Sequence, residues 1–177
     1  MFNPLPAKGA FLGQVRIANE GSPGRRWWMH HIRNTRALAE AAFAGNDKAA
    51  LAAIGELWSA VKSWELLTKS AVAGVLIGEH TVLAKLLVDC LASGANSACS
   101  LTAVDALMRN VEAQRALFPK NAAAFGDLFK THTELAGAYI TDLANKDQEA
   151  FQAHWAKALE NGDALGAFTD ETFFGKK

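Results

Sequence analysis

Three pentapeptides that end in histidine indicate the fold of this chain: WWMHH at residues 27–31, LIGEH at residues 76–80 and LFKTH at residues 128–132. The three histidines, His31, His80 and His132, are 49 and 52 residues apart. A recurrence at such a spacing is typical of a repeated supersecondary unit. We therefore predict a chain built from three copies of one unit.

The residues that follow each histidine keep the period of an α-helix. The positions 3, 4, 7 and 11 residues later hold Asn34, Thr35, Leu38 and Ala42 in the first copy, Leu83, Ala84, Leu87 and Leu91 in the second, and Leu135, Ala136, Tyr139 and Leu143 in the third. These offsets lie on one face of a helix. Each histidine is therefore expected on the face that packs into the core.

Six helices are predicted from this period, from a helix-favouring composition and from capping residues. Five of them are expected over about 25–44, 48–68, 71–92, 122–145 and 148–167. The remaining helix, the fourth in chain order, is expected to begin near residue 102 and to end by residue 118. The expected capping residues are Asp47, Ser70, Thr102, Asn121 and Asp147. No segment shows the alternation of β-branched residues that a strand requires.

The predicted fold is all-α, a six-helix antiparallel bundle made of three helix-pair repeats. Residues 1–24, which hold three of the four prolines, are expected to form an irregular N-terminal arm, and residues 25–177 a single helical domain. The repeats span about 25–69, 70–119 and 120–170. Short connections make neighbouring helices antiparallel. An open two-layer array is the alternative, and three repeats favour the closed bundle because they leave little room for exposed ends.

Composition excludes several classes of function. Eighteen basic side chains balance eighteen acidic ones in 177 residues, which argues against nucleic-acid binding and against a polybasic membrane anchor. The N-terminus has no apolar core of a signal peptide. The longest apolar run, residues 71–77, is far shorter than the ~18–20 residues of a membrane span. A soluble, cytoplasmic protein is expected.

The chain has two cysteines, Cys90 and Cys99, which are too few for a disulfide framework. They flank a predicted turn, so a bridge between them is geometrically feasible. Free cysteine is commonly buried. The favoured expectation is therefore one buried thiol and one loop thiol.

Several short motifs extend the repeat: residues 28–36 (WMHHIRNTR), Glu79-His80, Arg109-Asn110 and Glu160-Asn161. They resemble the L-W-x-x-H-x-x-W-T-R start, the E-H pair and the R-N or E-N step of a family of small helical-repeat proteins in spore-forming bacteria and some large DNA viruses. Two departures are Asn34, where the family has an aromatic residue, and Thr131, where it has an acid. The family has no established activity, so the resemblance implies the helical-repeat fold alone.

The three repeated histidines are the candidate site. If their helices pack around a common axis, three neutral imidazoles plus water make an open zinc site and also suit copper, iron or nickel. Glu79 lies about 100° round the helix from His80 and would be at best an outer partner or a base. The alternative is three separate core histidines, each hydrogen-bonded to a carbonyl or to a nearby Asn or Glu.

No nucleophile elbow, phosphate-binding loop or di-iron Glu-x-x-His motif is present. The leading hypothesis is therefore a non-enzymatic interaction or scaffold module without a cofactor, which acts through a protein partner or self-association. The first alternative is a metal-binding protein, and a metalloenzyme within that class. The second is a small-molecule carrier, with an apolar pocket lined by Trp28, Phe129 and Tyr139.

Overall fold

The computed structural model describes residues 21–94 and 97–175. These residues form six α-helices and, within those two ranges, no strand. In chain order the helices are α1 (Pro23–Phe43), α2 (Asp47–Thr68), α3 (Ala71–Ala92), α4 (Ser97–Arg115), α5 (Ala122–Asn145) and α6 (Gln148–Phe174). The fold is all-α, as predicted. Of the predicted arm, residues 1–20 lie outside the described residues.

The helix caps agree in part with the predicted ones. Ser70 and Asp147 each accept a hydrogen bond from the backbone N–H three residues later. Asn121 occupies the N-cap position of α5, but its side chain makes no capping bond. The prediction for α2 is wrong by one residue, because Asn46 is the cap and Asp47 lies in the first turn. There the carboxylate still interacts favourably with the helix dipole.

The predicted start of α4 is also wrong. The helix begins at Ser97, more than one turn before Thr102. The hydroxyl of Thr102 donates to the carbonyl of Ala98 inside the helix and does not cap it. This earlier start places Cys99 in the first turn of α4, opposite the last turn of α3.

The expectation of two free thiols is wrong as a consequence. Cys90 and Cys99 form a disulfide, with their Cα atoms 5.8 Å apart. The bridge ties the end of α3 to the start of α4, since the two helices form an antiparallel hairpin at this point.

Helix contacts close the bundle. Each helix packs on the next one along the chain, and α6 packs back on α1 as extensively as α2 does. The three odd-numbered helices, α1, α3 and α5, also contact one another. They form an inner triangle, and the even-numbered helices lie outside it. The closed bundle favoured by the sequence is therefore confirmed, and the open two-layer array is excluded.

Two glycines allow the close approach that seals α6 against α1. A Cβ atom on Gly166 would lie 2.6 Å from the Cα of Arg25, and one on Gly24 would lie 2.7 Å from the Gly166 carbonyl oxygen. Just inside this contact, the indole N–H of Trp28 donates to the hydroxyl of Thr169 at 2.9 Å. The crossing is therefore closed by backbone contact and by a buried hydrogen bond.

Equivalent positions are hydrogen-bonded in the three helix pairs. In the second and third pairs an asparagine amide donates to an odd-helix carbonyl: Asn110 to Leu76 at 3.0 Å, and Asn161 to Leu128 at 3.1 Å. The first pair has Ala60 in place of the asparagine. There the indole of Trp27 donates to the Ala60 carbonyl at 2.8 Å. The same two positions are therefore hydrogen-bonded in all three pairs, by an asparagine amide in the second and third pairs and by an indole N–H in the first.

The core is richest in aromatic residues at one end. We define the aromatic cluster as the buried residues Trp27, Trp28, Trp64, Phe118, Phe125 and Phe129. A second cluster around Tyr139, Phe151 and Trp155 fills the other end. α6 extends beyond its predicted end because Phe168 and Phe173, near its C-terminus, pack on Phe118.

Among the described helices, α3 is long and apolar enough to cross a bilayer by length and composition. Its most apolar window has a mean hydropathy of 1.7, and 44% of that window is buried inside the protein. A core helix of a bundle meets the same criterion. α3 supplies both a buried face, with His80, and an exposed apolar face.

Candidate metal site

The three repeated histidines meet at the centre of the inner triangle. His31 comes from α1, His80 from α3 and His132 from α5, and each is only 2% exposed. The distances between their ring centroids are 5.9 Å (31–80), 5.7 Å (31–132) and 5.9 Å (80–132). Equivalent positions on three helices around one axis therefore produce a nearly equilateral triangle of imidazoles.

The spacing is close to that of a metal site. One ring nitrogen from each histidine lies within 4.8 Å of the other two. Ligand nitrogens at ~2.0–2.1 Å from a tetrahedral ion are about 3.4 Å apart. Each nitrogen would thus have to move inward by up to roughly 0.8 Å, which side-chain torsions can supply.

The polar atoms of the triangle are not fully satisfied within the described part of the chain. The Nδ1 atoms of His31, His80 and His132 are all buried without a hydrogen-bond partner there. Three separate core histidines would be expected to pair these atoms with carbonyls or amides. The sequence-based alternative of three independent structural residues therefore leaves these atoms unexplained.

Burial keeps the imidazoles neutral. It lowers the pKa of His80 from 6.5 to about 4, although a hydrogen bond with the Asn110 side chain opposes the shift. Burial, followed by the proximity of His80, lowers the pKa of His132 to about 3. Burial and the neighbouring histidines also lower the pKa of His31 well below its ordinary value. Neutral imidazole is the form that binds metals.

Aromatic rings hold the histidines on one side. The indole of Trp27 stacks on the ring of His31, with an interplanar angle of 7° and centroids 5.3 Å apart. Phe129 stacks on His132 at 6° and 5.8 Å, and its ring centroid lies 4.8 Å from that of His80. The aromatic cluster therefore restricts the orientation of all three imidazoles from one direction.

A small cavity lies beside the histidines. It has a volume of about 10 Å³, and the three histidines share its lining with Thr35, Ala84, Leu87, Leu107, Thr133, Ala136, Gly137 and Ile140. This volume is near the minimum for one water molecule, and it also suits a single ion. None of these described lining residues carries a carboxylate.

Glu79 takes an outer position, as the sequence indicates. Its side chain is exposed, and one carboxylate oxygen accepts a hydrogen bond from the Asn110 amide at 2.8 Å. The Asn110 side chain also acts on His80, where it opposes the lowering of the pKa by burial. Glu79 is therefore joined to the site through Asn110 and does not line the cavity.

The other histidines lie apart from the triangle. His154 Nδ1 is 2.7 Å from the carboxylate of Asp142, and His30 Nε2 is 3.4 Å from that of Glu56. Both pairs are at or near the surface. His30 and His154 therefore lie beside carboxylates, whereas the cavity lined by the other three histidines has no carboxylate among its described lining residues.

Sequence reasoning did not identify Asn110, Thr133 and Gly137 as part of the site. Asn110 could have been identified from the sequence, because the Arg-Asn step at residues 109–110 recurs as Glu-Asn at residues 160–161. Gly137 also had one, because a glycine in the interior of a helix lowers helix stability and indicates a packing or functional reason. The carrier hypothesis places an apolar pocket beside Trp28, Phe129 and Tyr139, but each of these residues is 0% exposed within the core. None of them lines the apolar surface groove between α3, α4 and α5.

Comparisons with protein-family models, with curated proteins and with solved structures find no match to this chain. The resemblance to the bacterial and viral repeat family therefore stays an expectation. A function for this protein has to follow from the geometry of its own residues.

Proposed function

We propose that this protein binds one transition-metal ion through His31, His80 and His132. One observation carries the proposal: three buried imidazoles from three helices surround an ion-sized cavity, and the Nδ1 of each has no hydrogen-bond partner among the described residues. Burying polar atoms without partners is unfavourable. A single ion that accepts a lone pair from each imidazole ring explains why the three rings converge.

The donor set narrows the chemistry. Three neutral nitrogens leave a fourth coordination position open on zinc and also suit copper, iron or nickel. Because no carboxylate lines the cavity among the described residues, the ligands do not neutralise the charge of the ion. An anion or hydroxide in the fourth position would reduce that charge, which favours an open site over a closed structural one.

The test is metal binding by protein purified without a histidine tag. We expect one equivalent of Zn²⁺, Cu²⁺, Co²⁺ or Ni²⁺ in elemental analysis after loading and dialysis. An ion present at 100 times its Kd stabilises the folded state by ~2.7 kcal/mol and would raise the Tm by about 5–10 °C.

Matched variants separate this site from adventitious binding. His80→Ala and His132→Ala should abolish both the stoichiometric metal and the Tm shift. His154→Ala, which removes a histidine beside a carboxylate, should leave both unchanged. Unaltered melting of the parent protein with each of these ions would overturn the proposal.

A second candidate function is the interaction module expected from sequence. Val72, Val75, Val82 and Leu86 lie on one face of α3 and are between 41% and 71% exposed. An apolar stripe of this kind is typical of surfaces that associate with a protein partner or with a second copy. Sedimentation of the parent protein and of Val75→Lys would test self-association, which should be concentration-dependent only in the parent. The two functions are compatible.

A further inference from the structure

An apolar groove lies on the surface beside the histidine cavity. It runs between α3, α4 and α5 and has a volume of about 410 Å³, within the usual size range of ligand sites. Four residues line both the groove and the cavity: Leu87, Leu107, Thr133 and Gly137. Residues common to both linings form the partition between them. The groove therefore ends at this partition, and the histidines line the cavity on its other side.

From this shared partition we infer that the groove binds a small, mainly apolar molecule whose donor atom passes between these residues and occupies the open coordination position of the metal. The inference rests on the proposed function, since it needs an ion at the histidines. It names the class of ligand: an apolar ring or short chain carrying a neutral or anionic nitrogen or oxygen donor.

The lining matches such a ligand. Its inner wall is formed by leucine, valine and methionine side chains, among them Leu91, Val104 and Met108. Polar groups occur at the mouth, where Glu134 and Thr141 are exposed. An apolar body would bury against the wall, and its donor end would point to the uncompensated charge of the ion.

Gly137 leaves open space in the partition between the groove and the cavity. A Cβ atom at this position would meet nothing within 4 Å, although the residue lies in the middle of α5 and lines both spaces. Gly162 in α6 differs, because its Cβ would lie 2.5 Å from the Cδ1 of Ile32. Packing explains the glycine at 162. At 137 the missing side chain leaves space between groove and cavity.

The experiment uses the protein loaded with Co²⁺, whose visible absorption reports a change of ligand. Two probes are titrated: azide, a three-atom anion that needs no apolar wall, and 4-phenylimidazole, whose two rings need the groove. Both should perturb the spectrum of the parent protein. In Co²⁺-loaded Gly137→Leu, the affinity for 4-phenylimidazole should fall at least ten times more than the affinity for azide.

Gly55→Leu is the matched control, because Gly55 is an exposed mid-helix glycine in α2 with open space around it and does not line the groove. It should bind both probes as the parent does. If Gly137→Leu does not fold, Thr141→Phe narrows the same mouth from an exposed position one turn later.

The outcomes separate the two proposals. Absence of bound Co²⁺ in the parent would overturn the metal site itself. Bound Co²⁺ with no spectral response to 4-phenylimidazole, or an equal response in Gly137→Leu or Thr141→Phe, would overturn the groove inference and leave the metal site standing.

Discussion

The two sides of the histidine triangle differ in how they are built. On one side the aromatic cluster stacks Trp27 on His31 and Phe129 on His132. On the other side aliphatic side chains, a threonine and a glycine separate a small cavity from a surface groove. The first side restricts the imidazoles, and the second leaves space next to them.

This difference shows how one bundle can combine rigidity with access. Large rings bury much apolar area and hold their neighbours in a few orientations. Small and flexible side chains contribute less and can move aside. A site for an exchangeable ligand needs both properties, so the stability of the protein and access to its centre should respond to different substitutions.

The largest effect should come from the aromatic side. Phe129→Ala removes a ring that is 0% exposed and contacts His80 and His132, and should lower the free energy of unfolding by ~3–5 kcal/mol. Leu101→Ala, at the groove, removes a side chain that is 62% exposed and should change it by less than about 0.5–1 kcal/mol. Urea unfolding of both variants measures the contrast. Equal losses would remove the distinction between the two sides.

Acid should act on the triangle itself. In the metal-free protein the unfolded chain protonates its histidines near pH 6.5, while folded His80 and His132 stay neutral down to a pH of about 4 or about 3. Because the unfolded state binds more protons, stability falls as the pH drops from 6.5 towards 4. The slope should approach ~1.4 kcal/mol per pH unit for each buried histidine.

Urea unfolding at pH 7, 6 and 5 measures this slope. His132→Gln removes one of these histidines and should reduce the slope by ~1.4 kcal/mol per pH unit. A free energy of unfolding that is flat between pH 7 and pH 5 would show that the histidines are not buried in solution.

The smallest effect should come from the groove side. Gly137→Ala should raise the free energy of unfolding by about 0.5–1 kcal/mol, since alanine favours helix and its methyl group meets nothing within 4 Å. Gly55→Ala should give a similar gain for the same reason. Gly162→Ala should destabilise, because its Cβ would overlap Ile32. Thermal melting of the three variants gives the order, and a loss at Gly137 would mean that the space there is filled.

Much of the architecture could be predicted from local sequence. Helical period placed His31, His80 and His132 on core-facing stripes, and all three are buried. Capping chemistry located the starts of α3 and α6 at Ser70 and Asp147. These features depend on residues within one or two turns of each other, which a linear pattern records.

The errors arise where a distant contact overrides a local signal. Thr102 looks like a cap but lies inside α4, and the earlier start of that helix brings Cys99 to Cys90. α6 continues to Phe174 because its last turns pack on the aromatic cluster. In each case the partner lies outside the helix concerned, so the period and capping of that helix carry no record of it.

Helical period and capping, which are local properties of a helix, were enough to predict an all-α fold, the six helices of the described residues and three histidines that face the core. The packing of α6 on α1, which closes the bundle, is visible only in the three-dimensional structure. That closure brings the three histidines within reach of one ion and sets a groove of aliphatic side chains against them. The convergence depends on the angles and distances between helices, which arise from packing and glycine contacts spread over the whole chain.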